Sequence, residues 1–172
     1  MVDEYYRTAE PGVYAAGDVI GGHWLAHVAN HEGLIAADHM AGKDPASLDP
    51  NIVPWVTSCR PEIASFGLSE DQARERGEEV RIGRFPFRAV GKAVIEGEPE
   101  GFVKIVSDAR SGLVLGVYAV GRHVTELISE GVFAGLVEGT AQEIAMAAHA
   151  HPTLAEVFGE AAMDVDQLAI NF

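Results

Sequence analysis

GFVKIVSDARSGLVLGVYAV, residues 101–120, is the stretch that decides the fold class of this chain. Residues 101–107 and 113–120 are rich in β-branched and aromatic side chains, which predicts two strands. The five residues between them, 108–112, are of the types that form tight turns. The stretch therefore predicts a β-hairpin and, with it, an antiparallel sheet.

The sequence around this hairpin predicts a sheet flanked by helices. Capping-box spacings, Ser69 with Gln72 and Thr140 with Glu143, mark the starts of two helices. Because strands and helices come in runs and do not alternate strictly, we expect an α+β fold with a mixed, largely antiparallel sheet. Further strands are predicted at 53–57, 63–67 and 80–87, and helices at 69–77, 124–136, 140–148 and 153–163.

The first 50 residues differ in pattern from the rest. Residues 13–16 predict a short buried strand, and apolar residues from 24 to 40 fall at helical spacing. A polar, proline-bearing link, residues 43–51, follows. We therefore expect two domains, residues 1–50 and residues 51–172.

Composition excludes several classes of function. The chain has 172 residues, 12 Lys and Arg against 26 Asp and Glu, and a formal net charge of −14, which argues against nucleic-acid and anionic-membrane surfaces. Its single cysteine excludes an intramolecular disulfide. It contains no apolar run of about 18 residues, and its first ten residues do not resemble a signal peptide. We expect a cytoplasmic protein.

The segment HAHPTLAE, residues 149–156, is the strongest candidate for chemistry. Pro152 favours a helix start after His151, so that this imidazole can fold back towards Glu156 in the first turns. A carboxylate there would fix the imidazole tautomer and raise its basicity, giving a general acid/base pair. The alternative is that Glu156 only completes a capping box with Thr153.

A second candidate is Asp18, which with Gly17 follows the predicted strand and precedes the helix from Trp24. An aspartate in that place can accept hydrogen bonds from a polyol hydroxyl, and the helix N-terminus can face negative charge. The alternative is a simple turn or capping role for Asp18.

The remaining histidines and the cysteine carry weaker signals. Histidines four residues apart on a helix can bind zinc, but no acidic or cysteine partner is evident, and a solvated polar face explains them equally. We predict no metal site and a packed, inert thiol at Cys59. The histidines concerned are His23, His27, His31, His39 and His149.

Taken together, several blocks resemble the C-terminal part of the flavoprotein (pyridine nucleotide) disulfide oxidoreductases, most closely the dihydrolipoamide dehydrogenases. The resemblance covers essentially the whole chain. The blocks are RTAEPGVYAAGD at 7–18, LAH at 25–27, PEIASFGLSE at 61–70, HAHPTLAE at 149–156 and AINF at 169–172.

The resemblance implies that residues 1–50 are the end of an FAD-binding domain and residues 51–172 an interface (dimerisation) domain. It implies that Asp18 bonds the ribityl chain of FAD. Leu25, Ala26 and His27 would lie at the flavin, where the helix dipole stabilises charge on the reduced ring.

The resemblance also assigns the acid/base pair. His151 would take a proton from a dihydrolipoamide thiol, oriented by Glu156, and electrons would pass through a disulfide and FAD to NAD. His151 would serve the disulfide of the other subunit of a homodimer. Lipoyl domains of 2-oxoacid dehydrogenase complexes are the implied partners.

The chain departs from the family in what it lacks. The glycine-rich motifs for FAD and NAD and the redox cysteine pair are absent from the 172 residues, and Cys59 matches neither cysteine position. We therefore expect the C-terminal portion of a longer protein, inactive alone and binding FAD weakly or not at all. The alternatives are a non-catalytic stand-alone dimerisation module, or the same portion of another reductase such as glutathione reductase.

Overall fold

The computed structural model describes residues 1–171, which form two compact units, Met1–Pro50 and a second unit that begins at Asn51. Phe172, part of the last block quoted above, lies outside the described residues. Within residues 1–171 no helix is both long and apolar enough to cross a membrane.

The second unit is built on one five-stranded sheet in which every neighbouring pair is antiparallel. The predicted hairpin forms its centre, and the strand order is β1-β2-β5-β4-β3. The α+β prediction is therefore confirmed, and the sheet is wholly antiparallel. The strands are β1 (Trp55–Thr57), β2 (Glu62–Gly67), β3 (Val80–Pro86), β4 (Phe102–Asp108) and β5 (Val114–Gly121).

Helices cover this sheet because they present apolar stripes to it. α4 packs on β2 and β5, whereas α6 packs on β3 and β4 and is contacted by α5. Both predicted capping boxes form, at the N-termini of α2 and α5. The helices of this unit are α2 (Glu70–Glu75), α3 (Gly91–Glu96), α4 (Val124–Leu136), α5 (Ala141–Met146) and α6 (Glu156–Asp164).

Two close approaches position these helices on the sheet. A Cβ on Gly131 of α4 would lie 2.9 Å from the Phe66 ring, so the missing side chain lets this helix sit directly on β2. A Cβ on Gly83 of β3 would clash with the Ala161 carbonyl oxygen and lie 2.6 Å from the Val165 nitrogen. The α6 backbone is therefore seated against β3, which matters because α6 carries Glu156.

The boundaries of two elements differ from the predictions. α6 begins at Glu156 and not at Thr153: the residue before the helix is Ala155, and the Thr153 hydroxyl instead donates to the Ala150 carbonyl (2.6 Å). The short helix α3 was not predicted, since Gly91 and the six-residue length give little helical signal.

The prediction of a strand at residues 13–16, in the first unit, is wrong. Only an isolated bridge forms, between Arg7 and Tyr14, and Val13 is 48% exposed. Left-handed backbone at Tyr6 (φ 67°) and Gly12 (φ 77°) bends the chain on either side, so the ladder cannot extend.

The helix of this unit, α1, spans Ala26–Met40. It begins two residues later than predicted, because Trp24 is left-handed (φ 49°) and Leu25 is extended.

Candidate active site

The segment before α6 brings the predicted acid/base pair together. His151 Nδ1 lies 2.8 Å from Glu156 Oε1, although the two residues are five apart in sequence. His151 stands outside the helix and Glu156 is its first residue, so the imidazole folds back over the helix start. The structure thus supplies the geometry on which the acid/base hypothesis depends.

Glu156 makes both of the contacts that the sequence offered as alternatives. Oε1 faces His151, while Oε2 accepts the backbone N–H of Thr153 at 2.9 Å. The second contact is half of a capping box; the other half is missing because the Thr153 hydroxyl donates to Ala150. One carboxylate therefore orients the imidazole and satisfies a backbone donor near the start of α6.

The environment keeps Glu156 ionised. Partial burial acts to raise the pKa of Glu156, but the Thr153 N–H, the His151 hydrogen bond and the attraction of His151 and His149 when they are protonated outweigh it, and the net pKa lies below its ordinary value. The positive end of the α6 dipole acts in the same direction.

This arrangement leaves Nε2 of His151 available to accept a proton. An ionised carboxylate only accepts hydrogen bonds, so Nδ1 of His151 is the donor and Nε2 of the neutral ring keeps its lone pair. The side chain of His151 is 75% exposed, whereas that of Glu156 is 23% exposed. The pair can therefore take a proton at Nε2 from a group arriving from solvent, and return it.

A second histidine–carboxylate pair fixes the same segment. His149 Nε2 lies 2.8 Å from Glu130 Oε1 of α4, and only 12% of the His149 side chain is exposed. A Cβ on Gly159 would lie 2.8 Å from His149 Nδ1, so this ring packs against the backbone of α6. His149 is thus held between two helices, two residues before His151.

A cavity of about 270 Å³ opens at His151 and contains a carboxylate that the sequence analysis missed. Glu160 is only 5% exposed and accepts hydrogen bonds from Ile170 and Asn171. The available signal was a charged residue inside the otherwise apolar run 157–162. The cavity is lined by Ala89, Val90, Gly91, His151, Glu156, Glu160 and Asn171.

In the first unit, Asp18 is exposed in a 3₁₀ turn, Gly17–Ile20. A second buried carboxylate, Glu32 of α1, accepts the Gly17 N–H at 2.6 Å and fixes this turn. Sequence reasoning missed Glu32 too, although it occupies the apolar stripe position between Val28 and Ala36.

The three other predicted cofactor residues lie at the start of α1. Leu25 is its N-cap residue, and Ala26 and His27 are its first two helical residues. Leu25 makes no side-chain capping hydrogen bond, and the first turn carries no acidic residue. The N-cap side chain therefore does not accept from the first backbone N–H groups of α1, and no acidic side chain in its first turn offsets the positive end of the helix dipole.

The remaining histidines and the cysteine occupy separate places. His23 precedes α1, so it does not share a helix face with His27 and His31. His39 stacks on Tyr5, with ring centroids 4.5 Å apart, and contacts the Tyr14 hydroxyl. Among the described residues no three potential metal ligands cluster. Cys59 is an exposed free thiol whose Sγ lies 3.0 Å from the Pro61 carbonyl oxygen, so the prediction that this thiol is packed is wrong.

Comparison with known proteins identifies the family. Residues 53–162 match the model of the pyridine nucleotide-disulphide oxidoreductase dimerisation domain. The chain belongs to this family. The resemblance drawn from the sequence blocks is confirmed.

Curated relatives match almost the whole chain. The dihydrolipoyl dehydrogenase of Bacillus subtilis is 51% identical over 171 residues, which is 99% of this chain and 36% of that protein. That of Corynebacterium glutamicum is 44% identical over 174 residues, 99% of this chain and 37% of that protein. The chain thus spans little more than a third of the length of these relatives.

Solved structures share the fold. A crystal structure of LpdA from Mycobacterium tuberculosis matches 94% of this chain and 35% of its own with a TM-score of 0.88 and 32% identity. The flavoprotein disulfide reductase RclA from Escherichia coli matches 98% of this chain and 38% of its own with a TM-score of 0.88, and at 21% identity it supports the fold alone.

Proposed function

We propose that this chain supplies the acid/base pair and the dimer interface of a flavin-dependent dihydrolipoamide dehydrogenase. The observation that carries the proposal is the 2.8 Å contact between an exposed imidazole, His151, and an ionised carboxylate, Glu156. Similarity to dihydrolipoyl dehydrogenases over 99% of the chain supports the choice of reaction.

In the proposed reaction, His151 acts on a dithiol. Nε2 accepts a proton from one thiol, which converts that thiol into a nucleophilic thiolate. Glu156 stabilises the resulting imidazolium through Nδ1 and keeps the ring from turning away. The thiolate then attacks one sulfur of a disulfide, which forms a mixed disulfide and releases the other sulfur as a thiolate. Since the chain has one cysteine, that disulfide must come from residues outside these 172, and we propose that the chain alone is inactive.

The first unit fits the cofactor that the family implies. The exposed carboxylate of Asp18 would accept a hydrogen bond from the ribityl chain of FAD, and the backbone at Leu25, Ala26 and His27 would face the flavin. When bound, FAD would carry electrons to NAD from the dithiol that forms when the disulfide is reduced. The fixed Gly17 turn and the uncapped start of α1 support this fit. No residue of this chain is assigned to NAD.

The cavity at His151 favours a neutral dithiol over glutathione. Glutathione disulfide carries carboxylates, and its recognition calls for Lys or Arg. Among the described residues that line the cavity, two are glutamates and none is Lys or Arg. This supports dihydrolipoamide over the glutathione reductase alternative. The stand-alone module remains a second candidate, because the sequence lacks the redox cysteine pair.

We propose that the second unit forms a homodimer, with lipoyl domains of 2-oxoacid dehydrogenase complexes as substrate-bearing partners. The family model is that of a dimerisation domain. Four large apolar side chains on α4, on α5 and just after α4 are 55 to 76% exposed, and a partner subunit could cover them. They are Phe133, Leu136, Val137 and Met146.

The exposed free thiol of Cys59 fits a reducing, cytoplasmic location.

The test is a chimera in which this chain replaces the matching third of Bacillus subtilis dihydrolipoyl dehydrogenase. We expect the chimera to oxidise dihydrolipoamide with NAD. His151→Ala should lower that rate about a hundredfold or more, the usual scale for loss of a general base. Glu156→Gln should cost less, because the imidazole remains.

The control is His31→Ala, which removes an exposed histidine of α1 and should leave the rate unchanged. Flavin absorbance confirms that each variant is loaded equally. If His151→Ala retains the parent rate with full flavin content, the acid/base proposal is wrong. If the chimera folds and binds flavin but never oxidises the dithiol, the stand-alone module is favoured.

A further inference from the structure

The buried carboxylate of Glu160 has no part in the mechanism above, yet it lies beside the acid/base pair. It follows Glu156 by four residues on α6, so both side chains leave the same face of the helix. Both line the cavity that contains His151. Glu160 is 5% exposed, and burial of a carboxylate is unfavourable unless hydrogen bonds replace its water.

Among the described residues, the hydrogen-bond donors to Glu160 belong to two consecutive residues after α6. Oε2 accepts the Ile170 N–H at 2.8 Å and the Asn171 N–H at 3.3 Å, and Oε1 accepts the side-chain amide of Asn171. One carboxylate therefore binds two backbone donors and one side-chain donor of a single segment, which fixes both its path and the direction of the Asn171 amide.

Apolar burial does little to hold this segment. Leu168 is 67% exposed and Ile170 is 73% exposed, and only Ala169 between them is buried. Burial of one alanine contributes little free energy, because its side chain is a single methyl group. The hydrogen bonds to Glu160 are thus the main attachment of Ile170 and Asn171 to α6.

The attached segment forms part of the cavity beside the imidazole. Asn171 lines it together with His151 and Glu156, and the backbone around Val90 lines it as well. We propose that Glu160 is a positioning residue: by binding Ile170 and Asn171 it holds Asn171 as one wall of the His151 cavity and so sets how the dithiol reaches the imidazole. This inference rests on the proposed function.

The first measurement needs no activity. Hydrogen exchange of the Ile170 and Asn171 amides is followed in the 172-residue chain and in Glu160→Gln. Gln keeps the shape but loses the charge and one acceptor, so we expect exchange at these two amides to quicken about tenfold or more. The control Glu79→Gln removes the same charge from a side chain that is 70% exposed, and should change neither amide. Unchanged protection in Glu160→Gln overturns the inference.

The second measurement uses the chimera. Glu160→Gln and Asn171→Ala should each raise the KM for dihydrolipoamide about tenfold and change kcat less, because His151 and Glu156 remain in place. NADH oxidation by a dye, which bypasses the dithiol, should be unaffected. Asn171→Ala leaves the buried carboxylate of Glu160 intact. It therefore tests the role of Asn171 in the cavity even if Glu160→Gln folds poorly.

The two proposals fail in different ways. If His151→Ala does not slow dithiol oxidation, the proposed function fails whatever Glu160 does. If His151→Ala slows it but neither Glu160→Gln nor Asn171→Ala alters the KM, Glu160 has only a structural role. An equal loss of dye reduction in these two variants would also contradict the inference, since it indicates a general defect.

Discussion

Replacing Gly83 by alanine tests how α6 is seated on the sheet. The new Cβ would overlap the Ala161 carbonyl oxygen and lie 2.6 Å from the Val165 nitrogen. Both are backbone atoms, and Ala161 is fully buried, so neither can move aside as a flexible side chain would. To admit one methyl group, α6 must shift away from β3 as a body.

The size of the effect follows from two opposing terms. Overpacking of a core costs about 1–3 kcal/mol, and a clash with fixed backbone belongs at the upper end. Alanine also lowers the conformational entropy of the unfolded chain, which stabilises the folded state by about 0.4–1 kcal/mol. This gain applies here because the backbone of Gly83 is not left-handed. We expect a net loss of about 2 kcal/mol or more in the free energy of unfolding.

Urea unfolding followed by circular dichroism measures this loss, with Gly91→Ala as the matched control. Gly91 is the first residue of α3, where a Cβ would meet nothing within 4 Å, so alanine should leave the stability unchanged or raise it slightly. The reasoning is refuted if Gly83→Ala is as stable as the parent chain, or if the two variants behave alike.

Four further outcomes are expected. Thr140→Ala removes the capping side chain of α5 and should cost about 1 kcal/mol in urea unfolding. Because the pKa of Glu156 is lowered in the folded chain, the extra stability of the parent over Glu156→Gln should be complete above the ordinary glutamate pKa. It should shrink as pH falls through the lowered pKa; a difference independent of pH in urea titrations would contradict this. Sedimentation at high concentration should show a dimer, and a strictly monomeric profile argues against the proposed interface. FAD added to the chain alone should give no stoichiometric yellow complex; one that survives gel filtration would show that residues 1–50 suffice for binding.

Patterns with a short range predicted most of the second unit. The hairpin at 101–120 and the two capping boxes depend on contacts between residues a few positions apart, and all of them form. Periodicity gave the existence of α4, β2 and β3 but set some ends one or two residues away. The strand predicted at 13–16 fails for the complementary reason, since a strand needs a ladder of partners that a local pattern cannot supply.

In the candidate site, too, contacts between residues close in sequence were predicted, whereas contacts between distant residues were not. His151 and Glu156 were predicted together because five residues and one proline govern how they meet. Glu130, which binds His149, is 19 residues away from it, and Glu32 acts on Gly17 across 15 residues. Such contacts depend on which helix packs against which segment. A local sequence pattern does not contain that information.

By itself, the sequence identified the family, predicted an α+β fold with a largely antiparallel sheet and offered the pairing of His151 with Glu156 as one of two alternatives. Each of these rests on residue types at short, fixed spacings. Only the tertiary structure decided that Glu160 is buried and that Asn171 lines the His151 cavity. The physical reason is that a carboxylate is stable in a protein interior only where other segments bring donors to it, and those donors are placed by the packing of the whole domain.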